Sequence, residues 1–144
     1  MMGHLVKGAL AGAKATTVMS AVMLAGERAG LMRDQPPKRI VRGLLPGHPR
    51  LPKPGERQLA VLGHYAFGAG AGALLGLVTR GRGVPVPLGV AYGLAIWLAS
   101  YEGWVPAMAA LPPVHRDEPG RPLVMAAGHV VFGSVLAMSL RKDA

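Results

Sequence analysis

Long apolar runs separated by short polar or Pro-rich stretches dominate the pattern along this chain. Residues 58–79 and residues 122–140 contain no Asp, Glu, Lys or Arg, and a third run covers about 87–105, with Glu102 near its end. A helix of roughly 20 apolar residues crosses the hydrocarbon core of a bilayer. The pattern therefore predicts a membrane span in each of these three runs.

A further apolar run at residues 5–26 carries two lysines, Lys7 and Lys14. A Lys stem can lie along a helix while its ammonium reaches the head groups, so we interpret this run as a span as well. A cleaved signal peptide is the alternative, but no small-x-small cleavage site follows the run. The predicted fold is all-α, a four-helix transmembrane bundle forming a single membrane domain over residues 1–144.

The segments between the runs are basic and rich in Pro. Residues 28–57 form a long basic, Pro-rich loop, residues 79–84 a tight basic turn, and residues 106–122 a Pro-rich connection of mixed charge. Within the long loop, residues 36–45 begin with two Pro, which a first helical turn tolerates. We expect a short helix there, with apolar residues on the membrane and basic residues toward lipid phosphates.

Composition supports a membrane protein and excludes several other classes. The chain is 51% apolar and 16% charged, whereas soluble domains carry about 25% charged residues. Its 21 Gly favour close helix packing in a bilayer, and the absence of Cys excludes disulfides and thiolate sites. We expect no enzymatic activity, because the chain has neither a Gly-x-Ser-x-Gly nor a Walker motif.

The net charge of +9 predicts attraction to anionic lipid head groups. We expect no nucleic-acid partner, because aromatic and basic residues do not interleave as a stacking groove requires. Membrane orientation stays open. The positive-inside rule would place the 28–57 loop in the cytoplasm, but basic residues also lie at the opposite ends of the spans: Lys7, Arg80, Arg82, Arg141 and Lys142.

The two halves of the chain share an ordered set of residues. The first half contains Glu27, Pro36-Pro37 and Gly63-His64-x-x-Phe67-Gly68; the second contains Glu102, Pro112-Pro113 and Gly128-His129-x-x-Phe132-Gly133. This order indicates duplication of one helical hairpin, with repeats at 5–80 and 84–141. Both hairpins would enter the membrane in the same direction, related by a pseudo-two-fold axis along the membrane normal.

The chain resembles the YagU-like bacterial inner-membrane proteins, a domain of unknown function. The motifs that carry the resemblance are Gly89-x-x-x-Gly93, Pro106, Met108, Pro112-Pro113 and Gly128-His129-x-Val131, with a looser match at Glu27, the first Pro pair and His64. The resemblance implies a multi-pass protein of the cell inner membrane with four spans and cytoplasmic termini. It implies no catalytic residues.

Four ionisable residues form the candidate site: Glu27, His64, Glu102 and His129. Each His lies about two turns inside its span, so all four side chains are expected toward one membrane face. Ionisable groups in a bilayer are costly, which favours a functional role. Two imidazoles and two carboxylates would suit a divalent metal such as Zn, Mn or Fe, and the same groups could relay or conduct protons.

Other interpretations of these residues remain open. His64 and His129 could be interhelical hydrogen-bond partners, or they could hold a haem between two Gly-flanked helices, the less favoured cofactor. A structural or accessory subunit is the alternative function, because Gly-x-x-x-Gly faces can dock a second copy or a larger membrane complex. We expect Trp97, Tyr101 and Trp104 to form an aromatic belt at the loop side.

Overall fold

A computed structural model describes residues 1–48 and 51–141, and in this part of the chain every regular element is helical. Pro49 and Arg50 of the predicted loop, and Lys142, lie outside the described residues. The elements are α1 (Met2–Arg28), α2 (Pro36–Leu44), α3 (Glu56–Thr79), α4 (Val86–Leu98), a π-helical segment (Ala99–Trp104), α5 (Val105–Ala107), a 3-10 turn (Val114–Arg116) and α6 (Gly120–Ser139).

Three of these helices, α1, α3 and α6, are long and apolar enough to cross a membrane. They contain the predicted spans at 5–26 and 58–79 and nearly all of the one at 122–140. The chain is thus all-helical, and its three long apolar helices indicate a multi-pass membrane protein. The short helix predicted from Pro36 is also confirmed, since α2 begins at that residue.

The predicted span at 87–105 has a different form, because α-helical hydrogen bonding stops at Leu98 and a π-helical turn follows. Pro106 gives the physical reason. It has no N–H to donate to the carbonyl of Glu102, and its ring crowds that carbonyl in an α-helix. The wider π turn relieves the conflict, and the Val105 N–H bonds to Ser100 O, five residues back.

Helix α1 lies at the centre of the packing, against α3 on one side and α6 on the other, and α6 also packs on α4. Buried side chains of α1 and α6, including Met19, Met23 and Leu136, form the core between them. Helices α3 and α4 are the outer pair. Single side chains bridge them, such as Tyr92, whose hydroxyl donates to Ala71 O at 2.8 Å.

Glycines set the two closest helix crossings. A Cβ added to Gly12 of α1 would overlap the carbonyl of Gly68 in α3, and one added to Gly93 of α4 would overlap the carbonyl of His129 in α6. Close approach at small residues is a common packing mode of membrane helices. The pairings α1–α3 and α4–α6 are those that two hairpins require, while the duplication itself stays a prediction.

Candidate ligand cavity

A cavity of about 240 Å³ lies where the outer helices diverge. One wall comes from α3, through Gly63, His64 and Phe67. The facing wall comes from α4 and the π segment, through side chains such as Trp97 and Tyr101. Residues of α1 and α6 complete the lining: Thr16, Met19, Met125, His129 and Phe132.

The lining is almost entirely apolar, because most of its polar groups bond within the protein. The Thr16 hydroxyl donates to Gly12 O at 2.8 Å, and Nδ1 of His129 lies 2.8 Å from Met125 O. Two enclosed nitrogens, His64 Nε2 and Trp97 Nε1, have no hydrogen-bond partner among the described residues. The space therefore suits a ligand that is mainly hydrocarbon.

Helix α2 covers one end of the cavity. Its apolar side chains recur on one helical face, and all of them line the space: Pro36, Pro37, Ile40, Val41 and Leu44. Ile40 also packs against a small buried cluster formed by Val105, Ala110 and Leu111. Helix α2 is therefore a lid that connects the α3 side of the cavity with the segment after the π turn.

An ion pair holds the lid to the start of α3. The guanidinium of Arg42 donates two hydrogen bonds to Glu56, at 2.6 and 2.9 Å, and a third to Asp34 at 3.3 Å. The bond with Glu56 raises the pKa of Arg42 above its usual value, so this cation persists. The Lys53 ammonium donates to Arg42 O at 2.7 Å and thereby caps the end of α2.

The polar side of the lid also carries a cation without such a partner, three residues before Arg42. Arg39 is half-buried, and it makes no hydrogen bond or ion pair with residues 1–48 or 51–141. It lies within electrostatic range of the Tyr101 hydroxyl in the cavity wall. The lid therefore places an unpaired positive charge at the loop-side end of an apolar cavity.

A second polar network closes the base of the π segment. The Tyr101 hydroxyl donates to Asp117, which also accepts from Arg121, and Arg121 lies 3.3 Å from Glu118. Arg121 is only 1% exposed. Buried charges are retained when they are paired. This network holds Tyr101 against the core. Neither Asp117 nor Glu118 lines the cavity.

The structure brings together two of the four predicted site residues. His64 and His129 line the same cavity from α3 and α6. Glu27 instead accepts from Gln35 Nε2 at 2.7 Å, and Glu102 accepts from the Val114 N–H at 2.9 Å. Loop contacts therefore hold both carboxylates.

Within the described ranges, no three His, Asp or Glu side chains are grouped as metal ligands. The four-ligand metal site predicted from the sequence is therefore not assembled, because each Glu has a loop partner. A metal bound by His64 and His129 without the two glutamates stays a prediction. The less favoured alternative, a haem held by the two histidines, stays a prediction as well.

The aromatic residues differ from the predicted belt. Tyr101 is 3% exposed, and Trp97 contacts it with ring centroids 6.0 Å apart, so both belong to the cavity wall. Trp104 alone fits a belt position, at 39% exposed. It lies against Phe67 of α3, with ring centroids 6.2 Å apart, and this pair closes the gap between α3 and the π segment.

Sequence reasoning missed the lid contacts and the cavity. A signal for the lid existed: the apolar residues of α2 share one face, and Glu56 lies in the first turn of the next helix, within reach of a cation. The cavity had no such signal. Nothing in the order of residues shows that α3 and α4 diverge, or that Tyr101 turns inward after a π turn.

No protein-family model, curated protein or solved structure matches this chain. The resemblance to YagU-like proteins accordingly stays a prediction from the residues that carry it.

Proposed function

We propose that this is a four-span protein of the inner membrane, built from two hairpin repeats, that binds an anionic membrane lipid. Part of one acyl chain lies in the cavity between α3 and α4, and the head group lies on the basic lid. Support for the fourth span comes from α4, the π segment and α5, which follow one another without a break from Val86 to Ala107. At about 1.5 Å per residue this run is roughly 30 Å long, the thickness of the hydrocarbon core.

The apolar cavity is the observation that carries the proposal. Lipid tails are the most abundant apolar ligands around a membrane helix, and exposed residues are among those that line this space. Its outer edge is the Phe67–Trp104 pair, in which Phe67 is 49% exposed. The Phe67 ring makes no hydrogen bond, so it can turn away from Trp104, whose Nε1 donates to Ser100 Oγ at 3.1 Å. An acyl chain would enter between them.

Charge on the lid favours an anionic head group. The lid lies at the loop end of the spans, where head groups are found, and its polar side carries the unpaired Arg39. Basic residues near a membrane surface attract anionic lipids, at about 1 kcal/mol each. Lys38 adds charge, but it is already paired with Asp34 at 3.2 Å. Arg39 is therefore the residue we assign to the lipid phosphate.

The test uses matched glycine variants on α3. Gly63 lines the cavity, whereas Gly70 lies two turns further along the same helical face and does not. A Cβ at either position meets nothing within 4 Å, so a side chain can begin at both without a backbone clash. Gly63→Leu fills the cavity, and Gly70→Leu is the control with the same chemical change.

Bound lipid is measured by native mass spectrometry after purification from vesicles of equal phosphatidylglycerol and phosphatidylcholine. Wild type and Gly70→Leu should retain phosphatidylglycerol, and Gly63→Leu should lose most of it. Each 1.4 kcal/mol of lost binding free energy weakens the lipid affinity about tenfold. Arg39→Gln should retain lipid but lose the preference for phosphatidylglycerol. Equal retention by Gly63→Leu and wild type would refute the cavity as the binding site.

A second candidate function rests on the two histidines. His64 and His129 share the cavity, and imidazole is a common ligand for Zn and other divalent metals and a group that exchanges protons. In this account they hold one cation or proton next to the lipid chain. Metal analysis of wild type and of His64→Ala/His129→Ala tests the cation. Equal metal content in the two proteins would eliminate a metal at this pair.

A further inference from the structure

Lys14 is an exposed cation near the middle of a membrane-spanning helix. It is the thirteenth residue of α1, which runs from Met2 to Arg28. Its side chain faces outward. In the part of the chain that the structure describes, it makes no ion pair or hydrogen bond.

The depth of Lys14 separates it from ordinary interfacial lysines. At 1.5 Å per residue, Glu27 at the loop end lies about 20 Å further along the axis, and Met2 about 18 Å in the other direction. A hydrocarbon core of about 30 Å puts the head groups about 15 Å from a central residue, and a four-carbon stem does not cover that distance. Lys14 therefore does not reach the head groups in the way expected from the sequence. Lysine at the centre of a helix costs about 2.5–3.5 kcal/mol on insertion scales, and such residues normally face a partner or a water-filled space.

None of the acidic residues that the structure describes lies near the depth of Lys14. The six acidic residues that the structure describes all lie at the loop end: Glu27, Asp34, Glu56, Glu102, Asp117 and Glu118. The seventh, Asp143, lies outside the described residues. A second copy of the chain in the same orientation would place another Lys14 opposite the first. Like charges at close range repel, so a symmetric dimer is unfavourable on this face.

The surface around Lys14 is suited to another helix. Leu10, Thr17 and Ala21 share its helical face, and all three are exposed. Thr17 is hydrogen-bonded to the Tyr65 hydroxyl of α3 at 2.9 Å, so a polar pair lies one turn from the ammonium. Membrane helices associate through packing of such faces and through interhelical polar contacts.

We propose that this face docks a transmembrane helix of a different protein, one that carries an Asp or Glu at mid-membrane depth. The carboxylate pairs with Lys14, and the apolar residues of the face pack against the partner helix. This interaction is independent of lipid binding, because the lipid cavity lies between α3 and α4 and Lys14 does not line it.

The probe is a synthetic polyleucine helix with a single central Asp, compared with helices that carry Asn or Leu there. Labelled protein and peptide are reconstituted in phosphatidylcholine vesicles, and association is measured by energy transfer. Wild type should bind the Asp helix at least about tenfold more tightly than the Leu helix. Lys14→Met should remove that difference, and Lys14→Asp should transfer the preference to a helix with a central Lys.

Lys7→Met is the matched control. Lys7 lies seven residues earlier on the same face of α1, about 10 Å closer to the membrane surface. It should leave peptide binding unchanged. Because Lys14 has no partner in the described structure, Lys14→Met should keep or raise the unfolding temperature, so lost binding is not lost folding.

Three results would overturn the proposal. The first is equal binding of the Asp and Leu helices by wild type. The second is an equal loss of binding in Lys7→Met and Lys14→Met. The third is energy transfer between two labelled copies of the protein that Lys14→Met abolishes, since that outcome makes a second copy the occupant of this face.

Discussion

The crossing of α1 with α3 and the gap between α3 and α4 both contain glycine, with opposite structural results. At the crossing, Gly12 and Gly72 allow two backbones to touch, and a side chain at either position would meet a main-chain carbonyl. In the gap, Gly63 of α3 faces open space, and its missing side chain leaves room in the cavity.

The difference between the two regions comes from the facing helix. Gly-x-x-x-Gly on α3 meets a matching glycine stripe on α1, so the two backbones pack in direct contact. The wall around Gly63 faces Trp97 and Tyr101 instead, whose bulk keeps α4 and the π segment away. A small residue therefore marks a packed interface only when its neighbour is small as well.

Gly12→Ala should break the packed region and should have the largest effect on stability. The added methyl group overlaps the carbonyl of Gly68, which is backbone and cannot rotate away. Overpacking costs about 1–3 kcal/mol. Gly70→Ala is the control, and it should be neutral or stabilising by up to about 1 kcal/mol, since its Cβ meets nothing within 4 Å.

Both variants are compared by denaturant unfolding in the same detergent. Equal stability of Gly12→Ala and Gly70→Ala would mean that the crossing of α1 with α3 is looser than the structure shows.

Arg42→Gln should sharpen the comparison by loosening the cavity end and leaving the crossing intact. The variant removes both charge-assisted bonds to Glu56 and frees the lid from α3. Hydrogen exchange should accelerate across residues 36–44 and stay unchanged in α1 and α6. The exchanged pair Arg42→Glu/Glu56→Arg should restore protection in part. Faster exchange throughout the protein would instead assign this ion pair to global stability.

Tyr92→Phe should give the smallest effect, confined to the gap between the outer helices. It removes the hydrogen bond from the Tyr92 hydroxyl to Ala71 O. A single hydrogen bond of this kind contributes about 0.5–1.5 kcal/mol. We expect a loss of stability within that range and a modest rise in lipid uptake, because α3 and α4 can separate further. Unchanged lipid uptake would show that this bond does not limit the width of the gap.

Elements that depend on local sequence were predicted correctly, whereas features that depend on contacts between distant parts of the chain were missed. Charge-free runs fixed the long helices, since burying 20 apolar residues in lipid needs no knowledge of neighbours, and the proline pair fixed the start of α2. The glycine stripes correctly indicated close packing. The π turn was missed because it depends on how Pro106 and the buried Tyr101 are satisfied together.

The site was predicted less completely than the helices. His64 and His129 were expected near each other and do line one cavity, because each lies two turns inside its span. Glu27 and Glu102 were expected with them, but loop partners 8 and 12 residues further along the chain, Gln35 and Val114, hold them outside the cavity lining. Competition among polar partners is a tertiary property, and sequence spacing does not show it.

The most direct test of the central claim, that an acyl chain occupies the cavity, uses the two tryptophans of the chain. Trp104→Phe keeps an aromatic ring against Phe67 and leaves Trp97, which lines the cavity, as the only fluorophore of its kind. The protein is reconstituted with a trace of phosphatidylglycerol brominated on its acyl chain. We predict that the lipid quenches Trp97, that adding Gly63→Leu relieves the quenching, and that adding Gly70→Leu does not. Quenching that is absent, or identical in the two glycine variants, would contradict the account.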